Sequence, residues 1–175
     1  MMLDPAAAEV FIGSYKLLLL EIVGTEDKDA HVLDLLALGR KRLVQNPSLL
    51  DPALSKLRSG SERLDDEVLE AVTHLQLKQW VYLRETRAHS IFLEPSGQAA
   101  YGVVGLTNRI TEIVGGSGAM IETGLLPYKG SIVCDGLVSS VVWLGPSYRR
   151  SFNEALASIR AAGAFYASTL AQQDA

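Results

Sequence analysis

The segments SIFLEPSGQAAYGVVGL (residues 90–106) and AMIETGLLPYKGSIVC (residues 119–134) decide the fold. Each places two apolar runs around a turn, Pro95-Ser96-Gly97-Gln98 in the first and Pro127-Tyr128-Lys129-Gly130 in the second. Proline presets φ for a turn and glycine accepts left-handed geometry, so both segments read as β-hairpins. The strands are Ser90–Glu94 with Ala99–Leu106, and Ala119–Leu126 with Ser131–Cys134. Asp135-Gly136 makes a third turn before a strand at Val138–Leu144. This density of strands predicts a mainly antiparallel sheet of about four or five strands, short enough to curl into a small barrel.

Helices are expected on both sides of that sheet. Pro5 follows a possible Asp4 cap, and Phe11, Tyr15, Leu18 and Ile22 recur at helical spacing up to Gly24. A second helix is expected over residues 28–45, introduced by Thr25 to Asp29, with Val32, Leu35, Leu36 and Leu43 along one side. Its last turn carries Arg40, Lys41 and Arg42, which suit the negative end of a helix dipole. A short helix over 48–58 follows Asn46-Pro47. Ser59-Gly60-Ser61 is a hinge, and Glu62 stands three residues after Ser59 as in a capping box, predicting a helix from 62 to 79 or as far as 84. Thr107 or Asn108 caps a short helix through Val114, closed by Gly115–Gly118. Gly145-Pro146-Ser147 opens a long C-terminal helix to about residue 171, before a frayed tail at Ala171–Ala175.

The whole is an α+β fold in one domain spanning 1–175, with residues 1–60 helical and residues 61–175 carrying a helix, the antiparallel sheet and the C-terminal helix. Hydrophobic residues make up 48% of the chain and aromatics 7%, so the core is aliphatic and disorder is excluded. The net charge of −4 gathers around Glu62, Asp65, Asp66, Glu67 and Glu70, a poor surface for nucleic acid or anionic lipid. The N-terminus lacks a signal-peptide pattern and no apolar run spans a bilayer, which predicts a cytoplasmic protein with no membrane partner.

Catalytic signatures do not emerge. Cys134 is the single cysteine and sits in an apolar strand, where a thiol packs as a small hydrophobe. His31, His74 and His89 have no metal-ligand spacing, and neither metal nor cofactor is expected. The glycines at 115–118 follow a helix instead of leading into one, the wrong order for a phosphate loop. Glu94, Glu112, Glu122 and Asp135 are carboxylates without a legible pairing.

One local rule is broken. Arg149 and Arg150 occupy the first turn of the C-terminal helix, where cations oppose the dipole. An internal carboxylate such as Glu122 or Asp135 would compensate, or an external anion would, with Lys129 and Arg87 joining the site. The functional expectations follow. A non-enzymatic binding or regulatory module leads, because every catalytic signature is missing, and it is expected to act as a homo-oligomer because the first helix and the C-terminal helix carry surplus apolar surface. An enzyme or sensor taking an anionic small molecule at Arg149, Arg150, Lys129 and Arg87 is second. Single-stranded nucleic-acid binding, with Tyr128 and Tyr148 as stacking surfaces, is third.

Tyr101-Gly102-Val103-Val104-Gly105-Leu106-Thr107, Leu125-Leu126-Pro127-Tyr128-Lys129-Gly130 and Cys134-Asp135-Gly136-Leu137 resemble segments of uncharacterised bacterial proteins. The resemblance covers roughly the central third of the chain. It implies a bacterial origin and assigns no site residues.

Overall fold

The computed structural model describes residues 1–24, 30–60 and 62–170. The expected Thr25–Asp29 segment, Ser61 of the hinge and the Ala171–Ala175 tail lie outside the described residues. The N-terminal part holds α1 (Pro5–Val23), α2 (Val32–Gln45), a 3₁₀ turn (Pro47–Leu49), α3 (Leu50–Ser59) and α4 (Asp66–Thr73). Asp4 caps α1 as expected, its Oδ1 accepting from the amides of Ala6 at 3.1 Å and Ala7 at 3.2 Å. His31 caps α2 through Nδ1, which accepts from the Leu33 amide at 3.4 Å. Helices α1 and α2 cross closely because Gly39 has no side chain. A Cβ there would stand 2.4 Å from the Leu19 carbonyl oxygen.

The sheet is larger and less uniform than expected. Its seven strands are β1 (Gln76–Glu85), β2 (Ser90–Leu93), β3 (Ala100–Val104), β4 (Ala119–Tyr128), β5 (Ser131–Cys134), β6 (Ser140–Trp143) and β7 (Phe165–Tyr166). The order is β1-β2-β3-β5-β4-β6, β7 lies beside β3, and β1 also pairs with β4. Both hairpins form, but β5 and β7 run parallel to β3, so the sheet is mixed. A short helix, α5 (Ile110–Val114), joins β3 to β4.

Two helical expectations are corrected. The helix predicted from 62 to 79 is only α4, capped by Asp65, whose Oδ1 accepts from the Val68 amide at 3.0 Å. Ser59 instead closes α3, its Oγ donating to the Lys56 carbonyl. From Gln76 the chain is strand. Trp80, Val81, Tyr82 and Leu83 are all buried, so the polar alternation that marks a half-exposed strand is missing. The C-terminal helix α6 (Pro146–Ala161) ends well short of residue 171. Gly163, at φ 73°, turns the chain back so that Phe165 and Tyr166 reach the edge of β3.

Three packed clusters account for the burial. Phe11, Tyr15, Leu18 and Leu19 of α1 pack with Leu57, Val68 and Val72 against Leu126, Tyr128 and Val133 of the sheet. Trp80, Tyr82, Phe92, Tyr101, Ile121 and Ile132 pack with Ile110 in a second cluster. Leu156 and Ile159 of α6 cover Val81, Leu83, Ile91 and Leu93. The sheet is therefore covered on both faces, which explains its apolar composition.

Gly39→Ala tests the close helix crossing. Forcing α1 and α2 apart costs about 1–3 kcal/mol, the usual range for overpacking, and a urea melt reads it. An unchanged midpoint would show that the crossing is looser than described.

Candidate functional site

A buried polar cluster sits where α1, α2, β4 and the segment after β5 meet. Asp135 is its centre. The Arg40 Nη1 donates to both carboxylate oxygens, at 3.0 and 2.9 Å, and to the Leu137 carbonyl at 2.5 Å. The Tyr15 hydroxyl, the Thr123 hydroxyl and the amides of Gly124 and Leu137 donate to the same carboxylate. Side-chain exposure is 2% for Arg40 and 0% for Asp135. Gly124 permits the approach, since a Cβ there would lie 2.4 Å from Asp135 Oδ2. Arg40 Nε has no hydrogen-bond partner among the described residues.

The charge state follows from this geometry. Burial raises the Asp135 pKa above the usual carboxylate value, and the Arg40 guanidinium and the converging donors offset part of that rise by favouring the charged form. So many donors around one carboxylate favour the anion. Burial, and then the nearby Asp135 charge, hold the Tyr15 hydroxyl well above its usual range. Burial pushes the Cys134 thiol up to about 12. Neither group supplies a nucleophile near neutral pH. The cluster is structural.

Beside it opens a pocket of 430 Å³. Its walls are Phe11, Ile12, Leu33, Leu36, Leu106 and Ile113, and Asp135, Gly136 and Leu137 line it as well. Its polar lining groups are mostly engaged. Thr107 Oγ1 donates to Asn108 Oδ1 at 3.0 Å, and Glu112 accepts from the Arg109 amide at 3.0 Å. Lys16 is exposed at the rim and has no ion-pair partner among the described residues. A second hollow shares Ile12, Lys16, Leu106 and Thr107, extending the apolar surface along α1 towards Met2.

No family model, curated protein or solved structure matches this chain. The reading of the site therefore rests on its own geometry.

The four cations singled out in the sequence do not converge. Arg149 and Arg150 are exposed on α6. The Arg149 guanidinium lies over Gly118, and its Nε donates to the Leu144 carbonyl at 3.2 Å. Lys129 follows the far end of β4, roughly 30 Å away by the strand's rise of about 3.3 Å per residue. There it pairs with Glu67 of α4. Arg87 is exposed in the β1–β2 turn, and its neighbours Ala88 and His89 line a hollow together with Lys129. The carboxylates expected to compensate the arginines are engaged elsewhere. Glu122 accepts from Ser139 Oγ, and Asp135 belongs to Arg40.

Arg40 was expected to complement the helix dipole along with Lys41 and Arg42, and it is instead buried against Asp135. Spacing held the signal: Leu36, Arg40 and Leu43 fall at i, i+4 and i+7, so Arg40 shares the buried stripe. Thr123 and Tyr15 gave no comparable sign, because only the tertiary fold brings them to Asp135. Among the described residues no three His, Cys, Asp or Glu side chains gather as a metal site, and no helix is long and apolar enough to cross a membrane.

Two measurements check the cluster. Arg40→Met leaves a buried carboxylate without its counter-charge and costs about 3–5 kcal/mol. Asp135→Asn removes the same interaction, so the double variant loses much less than the sum of the two; strictly additive losses in urea unfolding would show the pair is uncoupled. Cys134 in the native protein reacts with a thiol reagent only as fast as the protein opens, and rapid labelling before unfolding would contradict its buried, raised-pKa setting.

Proposed function

We propose that this chain is a non-enzymatic binding module whose ligand is a small apolar molecule bearing a carboxylate, held in the pocket between α1, α2 and the segment after β5. The observation that carries this reading is an apolar pocket of ligand size with a cation at its rim, Lys16, that has no ion-pair partner among the described residues. Its volume of 430 Å³ falls within the range of small-molecule sites, about 300–1,000 Å³. The walls reward an aliphatic or aromatic body. Ile12, Leu33 and Ile113 are 37%, 54% and 39% exposed, so a ligand there removes apolar surface from water. Lys16 then selects the head group, since Tyr15, Thr107, Glu112 and Asp135 of the lining already take part in hydrogen bonds.

Chemistry on the ligand is disfavoured by the same residues. Asp135 is held by Arg40 and the amides, and the Tyr15 and Cys134 pKa values are raised by burial. A general acid or base must be free to exchange a proton with its substrate. The return of the β1–β2–β3–β5–β4 ladder to β1 supports reading the sheet as a small barrel, a stiff support for the pocket wall.

Thermal shift and calorimetry with straight-chain carboxylates and the matching alcohols, kept below micelle-forming concentrations, test the reading. Both series stabilise the protein, and carboxylates bind more tightly than alcohols. Lys16→Gln weakens carboxylate binding about tenfold and removes that preference, equivalent to about 1.4 kcal/mol. Ile12→Trp fills the pocket and abolishes both responses. No stabilisation by either series, or full binding to the Ile12→Trp protein, would overturn the reading.

A further inference from the structure

Strand β6 is the open end of the sheet. It pairs with β4 alone, through Ala119↔Trp143, Met120↔Val142, Ile121↔Val141 and Glu122↔Ser140. The Leu144 amide donates to the Gly118 carbonyl, which sets the alternation of the antiparallel ladder. Val142 therefore directs its amide and carbonyl to β4, and Val141 and Trp143 direct theirs outward. Among the described residues nothing bonds to those outward groups. The side chains are as open as the backbone: Val141 is 40% exposed, Val142 61% and Trp143 52%.

Exposed edges are ordinarily protected by charges, by proline or by a bulge. The run Ser139-Ser140-Val141-Val142-Trp143-Leu144 has no charge and no proline. We infer that β6 is the contact strand of a two-fold homodimer, in which it pairs antiparallel with β6 of a second copy about Val142. This inference is independent of the ligand reading.

Two observations name a second copy as the occupant. The outward groups of Val141 and Trp143 match the same groups of an inverted β6: Val141 of each copy stands opposite Trp143 of the other, and both exchange hydrogen bonds. The two Val142 side chains then meet across the axis. Met120 packs in the cluster under α6, whereas Ala119 and Ile121 belong to the cluster on the other face. Strand alternation puts Glu122 on the same face as Met120, the α6 face. Inversion about Val142 brings the Arg149 and Arg150 end of one copy to the Glu122 end of the other. Opposite charges of the two copies therefore lie at the same end of the seam.

Light scattering coupled to gel filtration, with cysteine cross-linking, tests pairing and register together. The wild-type chain elutes as a dimer. Val142→Lys places two ammonium groups against each other on the axis and gives a monomer that still unfolds cooperatively, with a melting temperature that no longer depends on protein concentration. Val142→Cys forms a disulfide-linked dimer under mild oxidation, because directly opposed residues of this type have Cα atoms about 4.5 Å apart. Val141→Cys does not, since its counterpart is Trp143. The native Cys134 is fully buried and takes no part. A monomeric wild-type chain would overturn the inference. So would a dimer that survives Val142→Lys and leaves the Val142→Cys variant uncross-linked.

Discussion

The ion pair between Arg40 and Asp135 ties α2 to the segment after β5 at the point where α1 and β4 also meet. A carboxylate with no exposed surface must be compensated, since burying a lone charge costs several kcal/mol even after relaxation. The compensation comes from α2 through Arg40, from α1 through Tyr15, from β4 through Thr123 and Gly124, and from the chain after β5 through Leu137. Any sliding of the helical layer on the sheet would strand a charge. The pair therefore specifies one arrangement of helices on sheet, while the surrounding apolar clusters supply the bulk of the stability. The wall of the pocket inherits its position from this constraint, because Tyr15, Asp135 and Leu137 belong to both.

Local rules were enough for much of the fold. The Asp4 cap, the Pro5 start, both hairpins and the Gly115 stop after α5 each depend on a few neighbouring residues. The errors have a common origin in tertiary contact. Strand β1 is buried on both faces by its neighbours, so Trp80–Leu83 lost the alternation that would identify it. The parallel pairings of β3 with β5 and β7 join residues far apart in the chain, and no turn signal announces them. Gly163 falls inside the span expected for the C-terminal helix, whereas its positive φ lies just beyond the end of α6.

The candidate sites were legible to different degrees. Arg40 carried a sign that went unread, since a cation on an apolar stripe asks for a buried partner. Its partner carried none, because Asp135-Gly136 is an ordinary turn sequence until Thr123, Gly124 and Tyr15 are folded around it. The arginines at 149 and 150 were recognised as misplaced for their dipole, and the fold shows them at the exposed end of the β6 edge, far from Lys129. Among the described residues neither guanidinium has an acid partner in its own chain, and two-fold pairing at β6 would set Glu122 of a second copy at the same end of the seam. Pocket and edge thus lie on different parts of one frame, the first beside α1 and α2 and the second beside α6.

The central claim is that Asp135 organises the junction of helices and sheet, and native-state hydrogen exchange at the Gly124 and Leu137 amides addresses it most directly. Both amides point at the Asp135 carboxylate. If the cluster opens only when the whole protein unfolds, these two amides exchange as slowly as the central β4 amides, even though Leu137 lies outside any strand. Exchange at Leu137 as fast as in an exposed turn would mean that the junction opens on its own and that the ion pair does not hold the layers together.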